Sequence, residues 1–503
     1  MKEYDVIVVG AGNGGLVAAA EIAQAGYKTL LLEKHNLPGG CATSFVRGRF
    51  EFEPSLHELC AESTSEDLTS TMGIFNSLGA KLDLYTENTL IRAISKDKDD
   101  GYDVVLHTGR ERFLDDMEKA VPGCRDSVER LFDLIKLMDA AQIYSEKHTI
   151  NPFTLMSKHS DFMRLTSHST DEVEKALGIP AKARSILNTY WGYLGVPTDD
   201  LCALHYISLL TAYATVKPTM PYKRSHSLSL SLTEAFLRFG GEVRYNSEVT
   251  RFLFDNKRRA VGVIAGGEEF RAKKIISNVM PHNVINRSDP RAIPRRFKKL
   301  ANARKMGMSF TTIYLGLDCS TVELGIKDYS VFISRNNSSR TQFKDRLDLG
   351  YYVVNCLNVC LPNCTPKGTC TLFFTIPFMP GDVPKKLTPR EYKEFKNSIA
   401  EKFIKDYEET LGVSVTPHIE EISVATPVTF ARYLATPEGA IYGYHSEGWD
   451  NIVGRIALEK MEYNIPNLYF CGGHHVRGDG FPSGYITGDS TAKQVIRDLK
   501  EGN

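Results

Sequence analysis

Three glycines near the N-terminus, Gly10, Gly12 and Gly15, have the spacing that is typical of a loop whose backbone closely approaches a phosphate group. Gly10 permits a tight turn, Gly12 lets backbone come close to a pyrophosphate, and Gly15 lets a helix pack closely on a strand. Glu33 follows 18 residues after Gly15, where a carboxylate could accept hydrogen bonds from both hydroxyls of a ribose. These residues together indicate a site for an adenine dinucleotide.

The segments around these residues are of the kinds that would position them. Residues 5–9 form a short, apolar, β-branched stretch suited to a strand buried on both faces, and the alanine-rich segment after Gly15 predicts a helix. The amino end of such a helix offers free N–H groups and a partial positive charge to phosphates. A second predicted strand, Thr29–Leu32, leads into Glu33. The alternative, a tight turn with Glu33 as an ordinary strand-end charge, is disfavoured because the whole strand–turn–helix–strand unit is present.

Two motifs that follow Glu33 carry a more specific resemblance. Residues 38–45 read PGGCATSF, and residues 48–57 read GRFEFEPSLH. In these runs the chain resembles the phytoene desaturase, carotenoid isomerase and retinol saturase group of FAD-dependent oxidoreductases, and it is most similar to the retinol saturase and carotenoid isomerase branch. The resemblance implies that FAD is the cofactor.

Two later stretches extend the resemblance to the middle and the end of the chain. Residues 239–278 are similar to the group's second dinucleotide-domain stretch, in which backbone near the equivalent of Val249 meets the adenine. Residues 468–492, LYFCGGHHVRGDGFPSGYITGDSTA, resemble the closing motif, whose glycine-rich loop and helix start lie against the flavin. Two positions depart from the group's pattern: Ser55 stands where a glycine is usual, and residues 223–227, KRSHS, lack a usual Gly-Gly pair.

The loop and the resemblance together assign the candidate site residues. The candidates for cofactor binding are Gly10, Gly12, Asn13, Gly14, Gly15, Glu33, Lys34, Gly39, Gly40, Cys41, Val249, Gly473, Asp479 and Gly480. A histidine beside a flavin could donate a proton to a carbanion or hold an oxygen atom of the substrate. The candidates for catalysis are His57, which matches the group's Gly-x-His segment, and the neighbours His474 and His475. At most one of that pair can face the flavin, a structural role for His57 remains the alternative, and Asp479 is equally suited to a turn.

Composition and charge exclude several classes of function. The chain has 503 residues, 42% of them hydrophobic, with 61 Lys and Arg against 61 Asp and Glu, so nothing draws the whole protein to nucleic acid. Residues 291–305 are a local exception, with seven cations and no acid. Interleaved Ile293, Phe297 and Leu300 could place such a helix on an anionic membrane surface, although a solvated helix packed on its own domain is favoured.

Location and redox state follow from what the sequence lacks. No signal peptide precedes the first predicted strand, and no apolar run approaches the roughly 18 residues of a spanning helix, so we expect a cytoplasmic protein, soluble or peripherally membrane-associated. The ten cysteines then predict reduced thiols. Cys356, Cys360, Cys364 and Cys370 invite an iron–sulfur hypothesis, but their spacing matches neither a cluster nor a zinc site, so structural thiols are favoured and no metal is expected.

The predicted fold class is α/β, with a discontinuous Rossmann-type FAD-binding domain and an inserted substrate domain of mixed sheet and helices. We assign residues 1–95, 225–290 and 455–503 to the FAD-binding domain, and residues 96–224 and 291–454 to the substrate domain or cap. The cap is predicted to contain a strand at Ser309–Leu317 and a long helix at Pro389–Leu411. Its aromatic side chains suit an elongated lipophilic substrate, although core packing would explain most of them: Phe153, Phe162, Tyr190, Trp191, Tyr193, Tyr206 and Tyr213.

The resulting hypothesis is an FAD-dependent oxidoreductase acting on carbon–carbon double bonds of a lipophilic unsaturated substrate, with saturase or isomerase chemistry ahead of desaturase chemistry. Because no second Gly-x-Gly-x-x-Gly exists, reducing equivalents are expected from a quinone or redox-protein partner, unless an isomerase cycles without net redox. A non-catalytic lipid-binding escort of the dissociation-inhibitor type is one alternative, which the intact glycine loop and Glu33 disfavour. A flavin amine oxidase is the other, although the GGCATSF run lacks the arginine that those enzymes place after Gly-Gly.

Overall fold

The structure is a computed structural model of the chain. It describes residues 2–60, 70–137, 157–451, 454–455, 464–475, 478 and 480–502. Its strands, numbered in chain order, are β1 Lys2–Val9, β2 Thr29–Leu32, β3 Phe45–Arg47, β4 Phe50–Phe52, β5 Leu84–Thr86, β6 Thr89–Ser95, β7 Tyr102–His107, β8 Thr219–Pro221, β9 Glu242–Arg244, β10 Val249–Phe254, β11 Ala260–Ala265, β12 Glu268–Ser277, β13 Ser309–Leu317, β14 Ser330–Ser334, β15 Tyr351–Asn355, β16 Cys370–Phe378, β17 Ile419–Ala425 and β18 Leu468–Phe470.

The helices of the described residues fall between and around these strands. They are α1 Asn13–Gln24, α2 Thr71–Ser77, α3 Arg110–Ala120, α4 Arg125–Asp133, α5 Ser160–Ser167, α6 Thr170–Ala176, α7 Ala181–Leu187, α8 Ala203–Thr215, α9 His226–Arg238, α10 Pro281–Asn286, α11 Arg295–Ala303, α12 Thr321–Leu324, α13 Ser339–Lys344, α14 Leu357–Cys360, α15 Pro389–Leu411, α16 Pro427–Leu434 and α17 Gly480–Lys500.

The first sheet has a parallel core in the order β9-β2-β1-β12-β18, and the antiparallel strands β11 and β10 extend it from the first half of β12. Val9 lies beside Leu32 of β2 and Ser277 of β12, so the carboxyl ends of these strands meet at one edge. The loops that begin at Gly10, Glu33 and Asn278 therefore leave the sheet side by side, which is where open α/β sheets bind ligands.

Alternating side chains of the central strand β1 build two separate cores, as a strand with side chains on both faces requires. Val6 and Val8 pack with helices α1, α9 and α17 on one face. Ile7 and Val9 pack on the other face with side chains of β10 and β11 and with helices α10 and α11. The parallel core of the sheet is therefore covered on both faces, and its carboxyl edge is left for the site.

The second sheet has seven strands in the order β17-β13-β16-β15-β14-β6-β7, all antiparallel except for the parallel pair β14 and β6. The long helix α15 covers one face through Phe403 and Tyr407. Helices α3, α4, α7 and α8 cover part of the other face in a core that includes Trp191 and Tyr351. This sheet and its helices form the cap over the carboxyl edge of the first sheet.

The α/β fold class is confirmed, as are the predicted elements Thr29–Leu32, Ser309–Leu317 and Pro389–Leu411. One strand differs from its predicted grouping: β6, inside the range 1–95 assigned to cofactor binding, pairs with β14 and β7 of the cap sheet. An apolar strand carries no local mark of the sheet it joins, so this boundary could not be read from composition. The domain division otherwise stays a prediction.

The basic segment forms helix α11, and its apolar side chains Ile293 and Phe297 are buried in the core beneath the first sheet. Those two side chains are therefore not available to a membrane, as the packed alternative requires. None of the described helices has the length and hydropathy to cross a membrane. Cys356, Cys360 and Cys370 are buried and Cys364 is partly buried, and within the described ranges these four sulfur atoms form neither a disulfide nor a metal-ligand group.

Candidate functional site

A cavity of about 510 Å³ lies between the carboxyl edge of the first sheet and the cap. Its walls run from Gly10 and Glu33 at one end to helix α8 of the cap at the other. This volume is in the usual range for a pocket that holds a small molecule or cofactor. Most of the predicted site residues line it: Gly10, Gly12, Asn13, Gly14, Glu33, Lys34, Gly39, Gly40, Cys41, His57, Val249, Gly473, His474 and Gly480.

The glycine loop at the nucleotide end leaves no room for side chains. Gly10 has a φ of +97°, and a Cβ on Gly12 would lie 2.7 Å from Nδ2 of Asn278. The Gly39 N–H donates to the Ala11 carbonyl over 2.7 Å, which draws the second glycine pair against the first loop. No side chain caps helix α1, so the N–H groups at its amino end face the cavity uncapped. Such an end binds a pyrophosphate through its N–H groups and the helix dipole.

Glu33 is buried beside this loop and organises it. Its carboxylate accepts hydrogen bonds from the backbone N–H of Ala11 at 2.7 Å and of His35 at 2.9 Å. A carboxylate has lone pairs for about four hydrogen bonds, so it can still receive the hydroxyls of a ribose. Glu33 thus fixes the loop and lines the cavity at the same time.

Two features of the nucleotide end were missed by the sequence analysis. Arg287 donates to the Val249 carbonyl over 2.6 Å and to the Glu248 carboxylate over 2.7 Å, which fixes the backbone at the predicted adenine contact. Helix α16 closes the same end from the cap: Lys34 Nζ donates to the Arg432 carbonyl over 2.8 Å, and the His35 ring bonds the Tyr433 carbonyl over 2.6 Å. These partners are distant along the chain, so no motif marks them.

The C-terminal motif adds a second helix start. Helix α17 begins at Gly480, and its first residues line the cavity beside the start of helix α1. The Gly472 N–H donates to Thr487 Oγ1 over 3.0 Å and ties the loop to this helix. Asp479 lies outside the described residues. Gly15 does not line the cavity: a Cβ there would lie 2.0 Å from the Gly10 carbonyl, so Gly15 serves the close helix packing that its spacing predicts.

Glu53, which the sequence analysis did not single out, fixes the segment that carries His57. Its buried carboxyl accepts from the N–H groups of Ser55 and Leu56, and from both the N–H and the hydroxyl of Ser225. Burial raises the pKa of Glu53 to about 7. Ser55 itself does not have a positive φ, and its hydroxyl donates to the Cys41 carbonyl over 3.0 Å, so this position does not require a glycine.

Arg224 occupies the other departure from the group's pattern. It has a φ of +59°, a left-handed conformation that glycine adopts without strain. Its buried guanidinium donates to Glu51 over 3.0 Å and to the Cys364 carbonyl. The backbone geometry of a glycine is therefore kept at this turn, and the side chain connects the start of helix α9 to the cap.

His57 lies in the cavity wall with both ring nitrogens engaged. Nδ1 lies 3.1 Å from the Tyr193 hydroxyl and Nε2 lies 2.8 Å from the Thr375 hydroxyl. Burial lowers the pKa of His57 to about 3, so the ring is neutral near pH 7. A neutral imidazole can donate at one nitrogen and accept at the other, so His57 orients two hydroxyl groups at the junction of the two sheets.

The structure separates the two C-terminal histidines. His474 lines the cavity and packs edge-on against Phe470, whereas His475 does not line it. Burial, followed by the charges of His475 and His282, lowers the pKa of His474 to about 3. Burial, followed by the charge of Arg304, lowers the pKa of His475 to about 4. Of this pair, His474 lines the cavity, and its role in catalysis stays a prediction.

The cap end of the cavity is mainly apolar. Helix α8 presents one face to it, with side chains at helical spacing: His205, Ser208, Leu209, Ala212 and Tyr213. Of the predicted cap aromatics, Tyr193 and Tyr213 line the cavity, Tyr190, Trp191 and Tyr206 are buried in the cap core, and Phe162 packs against that core. Phe153 lies outside the described residues. Further aromatic lining comes from Phe310, Tyr351, Phe430 and Tyr442, which sequence spacing did not indicate.

Comparison with known proteins gives relatives over the full length of the chain. A family model described as an NAD(P)-binding Rossmann-like domain matches residues 8–71. The all-trans-retinol 13,14-reductase of Danio rerio is 25% identical over 98% of this chain and 86% of its own length, and the human protein of that name is 22% identical over 94% and 82%. The chloroplastic prolycopene isomerase of Daucus carota is 23% identical over 99% of this chain and 81% of its own length.

The chain is a homologue of these reductases and isomerases. It is an oxidoreductase with a Rossmann-like dinucleotide-binding domain. Solved structures agree on the fold. An oxidoreductase from Methanosarcina mazei superposes with a TM-score of 0.65 at 14% identity, covering 97% of this chain and 100% of that one. Cyclohexylamine oxidase from Brevibacterium oxydans gives a TM-score of 0.60 at 16% identity, covering 99% of each chain.

Proposed function

We propose that this homologue is an FAD-dependent oxidoreductase that acts on carbon–carbon double bonds of a lipophilic polyene, by saturation or isomerisation. One observation carries the proposal: a single cavity joins a dinucleotide-binding loop to an aromatic, largely apolar chamber in the cap. The relatives support the substrate class, since they are named for retinol reduction and prolycopene isomerisation.

The residues present fit a dinucleotide cofactor. A Cβ on Gly12 would contact the Asn278 side chain, and the amino ends of helices α1 and α17 face the cavity. Glu33 keeps lone pairs that can accept hydrogen bonds from the hydroxyls of a ribose. In this assignment Gly10–Gly15 and helix α1 hold the pyrophosphate, Glu33 the ribose and Val249 the adenine, while Gly473 and Gly480 lie toward the flavin. A bound flavin supplies hydride transfer; the chain supplies position and a dry pocket.

The cap residues bind and orient the second reactant. The face of helix α8 and the rings of Tyr193 and Tyr213 give an elongated apolar chain a surface that excludes water. His57 fixes the hydroxyls of Tyr193 and Thr375, which places fixed dipoles at the junction between the two ends. When the reaction is a net reduction, we assign the supply of electrons to a quinone or a redox-protein partner.

Anaerobic single-turnover measurements test the proposal. The holoprotein is reduced and mixed in turn with all-trans-retinol, prolycopene, an unsaturated fatty acid, a sterol and putrescine, while flavin absorbance and product mass are followed. A saturase reoxidises its flavin as retinol gains two hydrogens, and an isomerase converts prolycopene without reoxidation. A protein that purifies without flavin and only binds lipid would indicate an escort, and oxidised flavin bleached by putrescine alone would indicate an amine oxidase.

A further inference from the structure

Two buried glutamates, Glu58 and Glu87, meet beside the cavity and have no role in the site as described above. Glu58 lines the cavity directly after His57 and is 5% exposed, and Glu87 is 2% exposed. Neither carboxyl has a hydrogen-bond partner among the described residues. Buried carboxyls are ordinarily hydrogen-bonded or paired with a cation, so two that are neither require an explanation.

The backbone brings the two side chains together on one short segment. The N–H of Leu59, next to Glu58, donates to the Thr219 carbonyl over 2.8 Å, and the N–H of Thr219 donates to the Leu59 carbonyl over 2.9 Å. The Glu87 N–H donates to the Pro218 carbonyl over 2.9 Å. These bonds hold the backbone at both glutamates against the start of strand β8, so the two residues are neighbours in the fold.

Among the residues that the structure describes, the groups that face this pair carry no positive charge. The phenols of Tyr190, Tyr193, Tyr213 and Tyr329 and the thiol of Cys360 lie close enough for the charge of Glu58 to raise their pKa values. Cys60 lies beside Tyr213 in the same region. No cation of the described residues affects the pKa of either glutamate. Burial raises the pKa of Glu58 to about 8, and burial with the charge of Glu58 raises the pKa of Glu87 well above its ordinary value.

We propose that Glu58 is the residue that exchanges a proton with the bound polyene, and that Glu87 is the neighbouring acid that restores it. This inference rests on the proposed function. In saturation, hydride from the reduced flavin adds to one carbon of a double bond, while the Glu58 O–H bond breaks and its proton adds to the other carbon. The product gains two hydrogens, the flavin is oxidised, Glu58 becomes a carboxylate, Glu87 passes its proton to Glu58, and Glu87 takes a proton from water before the next turnover. In isomerisation no hydride is transferred: the Glu58 proton adds to one carbon of the polyene, the neighbouring bond rotates, and the same carbon returns a proton to Glu58, so no redox change occurs.

Glu58 suits this role better than His57 for a geometric reason. Both nitrogens of His57 are already bonded to hydroxyl groups, whereas neither oxygen of Glu58, in a carboxyl that lines the cavity, has a partner among the described residues. A neutral carboxylic acid in an apolar wall keeps its proton until a carbon with developing negative charge accepts it.

Difference infrared spectroscopy on the oxidised holoprotein tests the proposal without turnover, with Glu58→Gln as the variant and Glu174→Gln as the matched control. Glu174 is equally buried, and burial raises its pKa to about 8, but it bonds Asn188 away from the cavity. The parent should show a protonated-carboxyl band that titrates near pH 8, disappears in Glu58→Gln and shifts when all-trans-retinol binds. The band lost in Glu174→Gln should not shift. A retinol-sensitive band that persists in Glu58→Gln overturns the assignment.

Single-turnover reoxidation of the reduced flavin by all-trans-retinol gives the second readout. Glu58→Gln should slow it at least about tenfold, the lower part of the usual range for a general acid, and Glu174→Gln should leave it unchanged. The parent rate should fall as pH rises through about 8, because Glu58 then loses its proton. Equal rates in the parent and Glu58→Gln refute the inference alone. A parent that reacts with no polyene refutes the proposed function, and the infrared bands still decide whether Glu58 is a protonated acid in contact with the ligand.

Discussion

Gly12 is a position at which a single substitution should abolish cofactor binding. A valine there would meet the side-chain amide of Asn278 and would occupy the space through which the Gly12 backbone approaches a pyrophosphate. We expect Gly12→Val to abolish retention of FAD, measured as flavin absorbance per chain after purification. Gly448→Val is the control, because a Cβ at Gly448 meets nothing within 4 Å. Full flavin content in Gly12→Val would contradict the assignment of the loop.

Glu33 should contribute to the affinity for FAD through the hydrogen bonds that its carboxylate accepts. Glu33→Ala removes the acceptor of the Ala11 and His35 N–H groups and of the ribose hydroxyls. Because each charge-assisted hydrogen bond contributes roughly 1.5–3 kcal/mol, the dissociation constant for FAD should rise at least about tenfold. Fluorescence titration of the apoprotein measures it, and a change within about a factor of two would show that Glu33 does not contact the ribose.

His57 should affect the reaction rather than binding. We expect His57→Ala to keep FAD and retinol binding and to lower the single-turnover rate at least about tenfold, because the hydroxyls of Tyr193 and Thr375 lose the group that orients them. Rapid mixing of the reduced holoprotein with all-trans-retinol measures this rate. If the rate is unchanged, His57 is structural and attention moves to His474, the other histidine in the wall.

Residues of the site could be predicted where their chemistry is local in sequence. Gly10, Gly12 and Glu33 belong to one strand–turn–helix–strand unit, so their spacing alone indicated their arrangement. Glu53 and Arg287 could not be found in this way, because their partners Ser225 and Val249 are brought to them only by the tertiary fold. Glu58 directly follows His57 in the sequence, but its lack of partners among the described residues is visible only in the structure.

At the scale of elements, the turn before helix α9 holds Arg224 in a strained backbone conformation, and the cost of that strain can be measured. Arg224 has a φ of +59°, and its buried guanidinium forms an ion pair with the partly exposed carboxylate of Glu51. Arg224→Gly and Arg224→Ala both lose the ion pair, but only alanine retains the backbone strain. We therefore expect the glycine variant to be the more stable of the two by about 1 kcal/mol in urea unfolding. Equal stabilities would show that the left-handed conformation is not kept.

Elements were predicted best where a hydrophobic pattern was bounded by strong signals. Helix Pro389–Leu411 begins after Thr388, which forms a capping box with Glu391, and ends at Gly412 with a φ of +67°. Strand Thr89–Ser95 has no such mark of its destination, because its pairing with Ser330–Ser334 spans more than two hundred residues of sequence. Sheet membership depends on long-range register, which periodicity does not encode.

At the scale of the whole molecule, buried ionisable groups should set the pH range of stability. Burial raises the pKa of Glu53 to about 7 and of Glu58 and Glu174 to about 8, so the unfolded chain releases these protons first and stability falls as pH rises from about 4.5 to 8. Burial lowers the pKa of His57 and His474 to about 3, so stability falls as pH drops below about 6.5. Between about pH 4.5 and 6.5 the two effects oppose each other, whereas above pH 6.5 only the loss from the glutamates remains, so stability should fall as the pH rises from about 6.5 to 8.

Glu174→Gln separates one of these contributions from the rest. The variant lacks a carboxyl whose raised pKa opposes folding at high pH, so it should lose less stability than the parent between pH 5 and pH 8, by at least about 1 kcal/mol. Urea unfolding at the two pH values measures the difference. Parallel losses in the parent and the variant would show that Glu174 is ionised in the folded protein.

One cavity joins the dinucleotide-binding loop to the apolar chamber of the cap. A spectral titration of the oxidised flavin with all-trans-retinol measures whether a ligand in that chamber reaches the flavin. Ala212 lines the chamber on helix α8, at the end of the cavity away from the glycine loop, so Ala212→Trp should fill the chamber and leave FAD bound. We expect a saturable change in flavin absorbance with the parent protein and no change with the Ala212→Trp variant. A flavin spectrum that no polyene perturbs, or one perturbed equally in both proteins, would contradict this expectation.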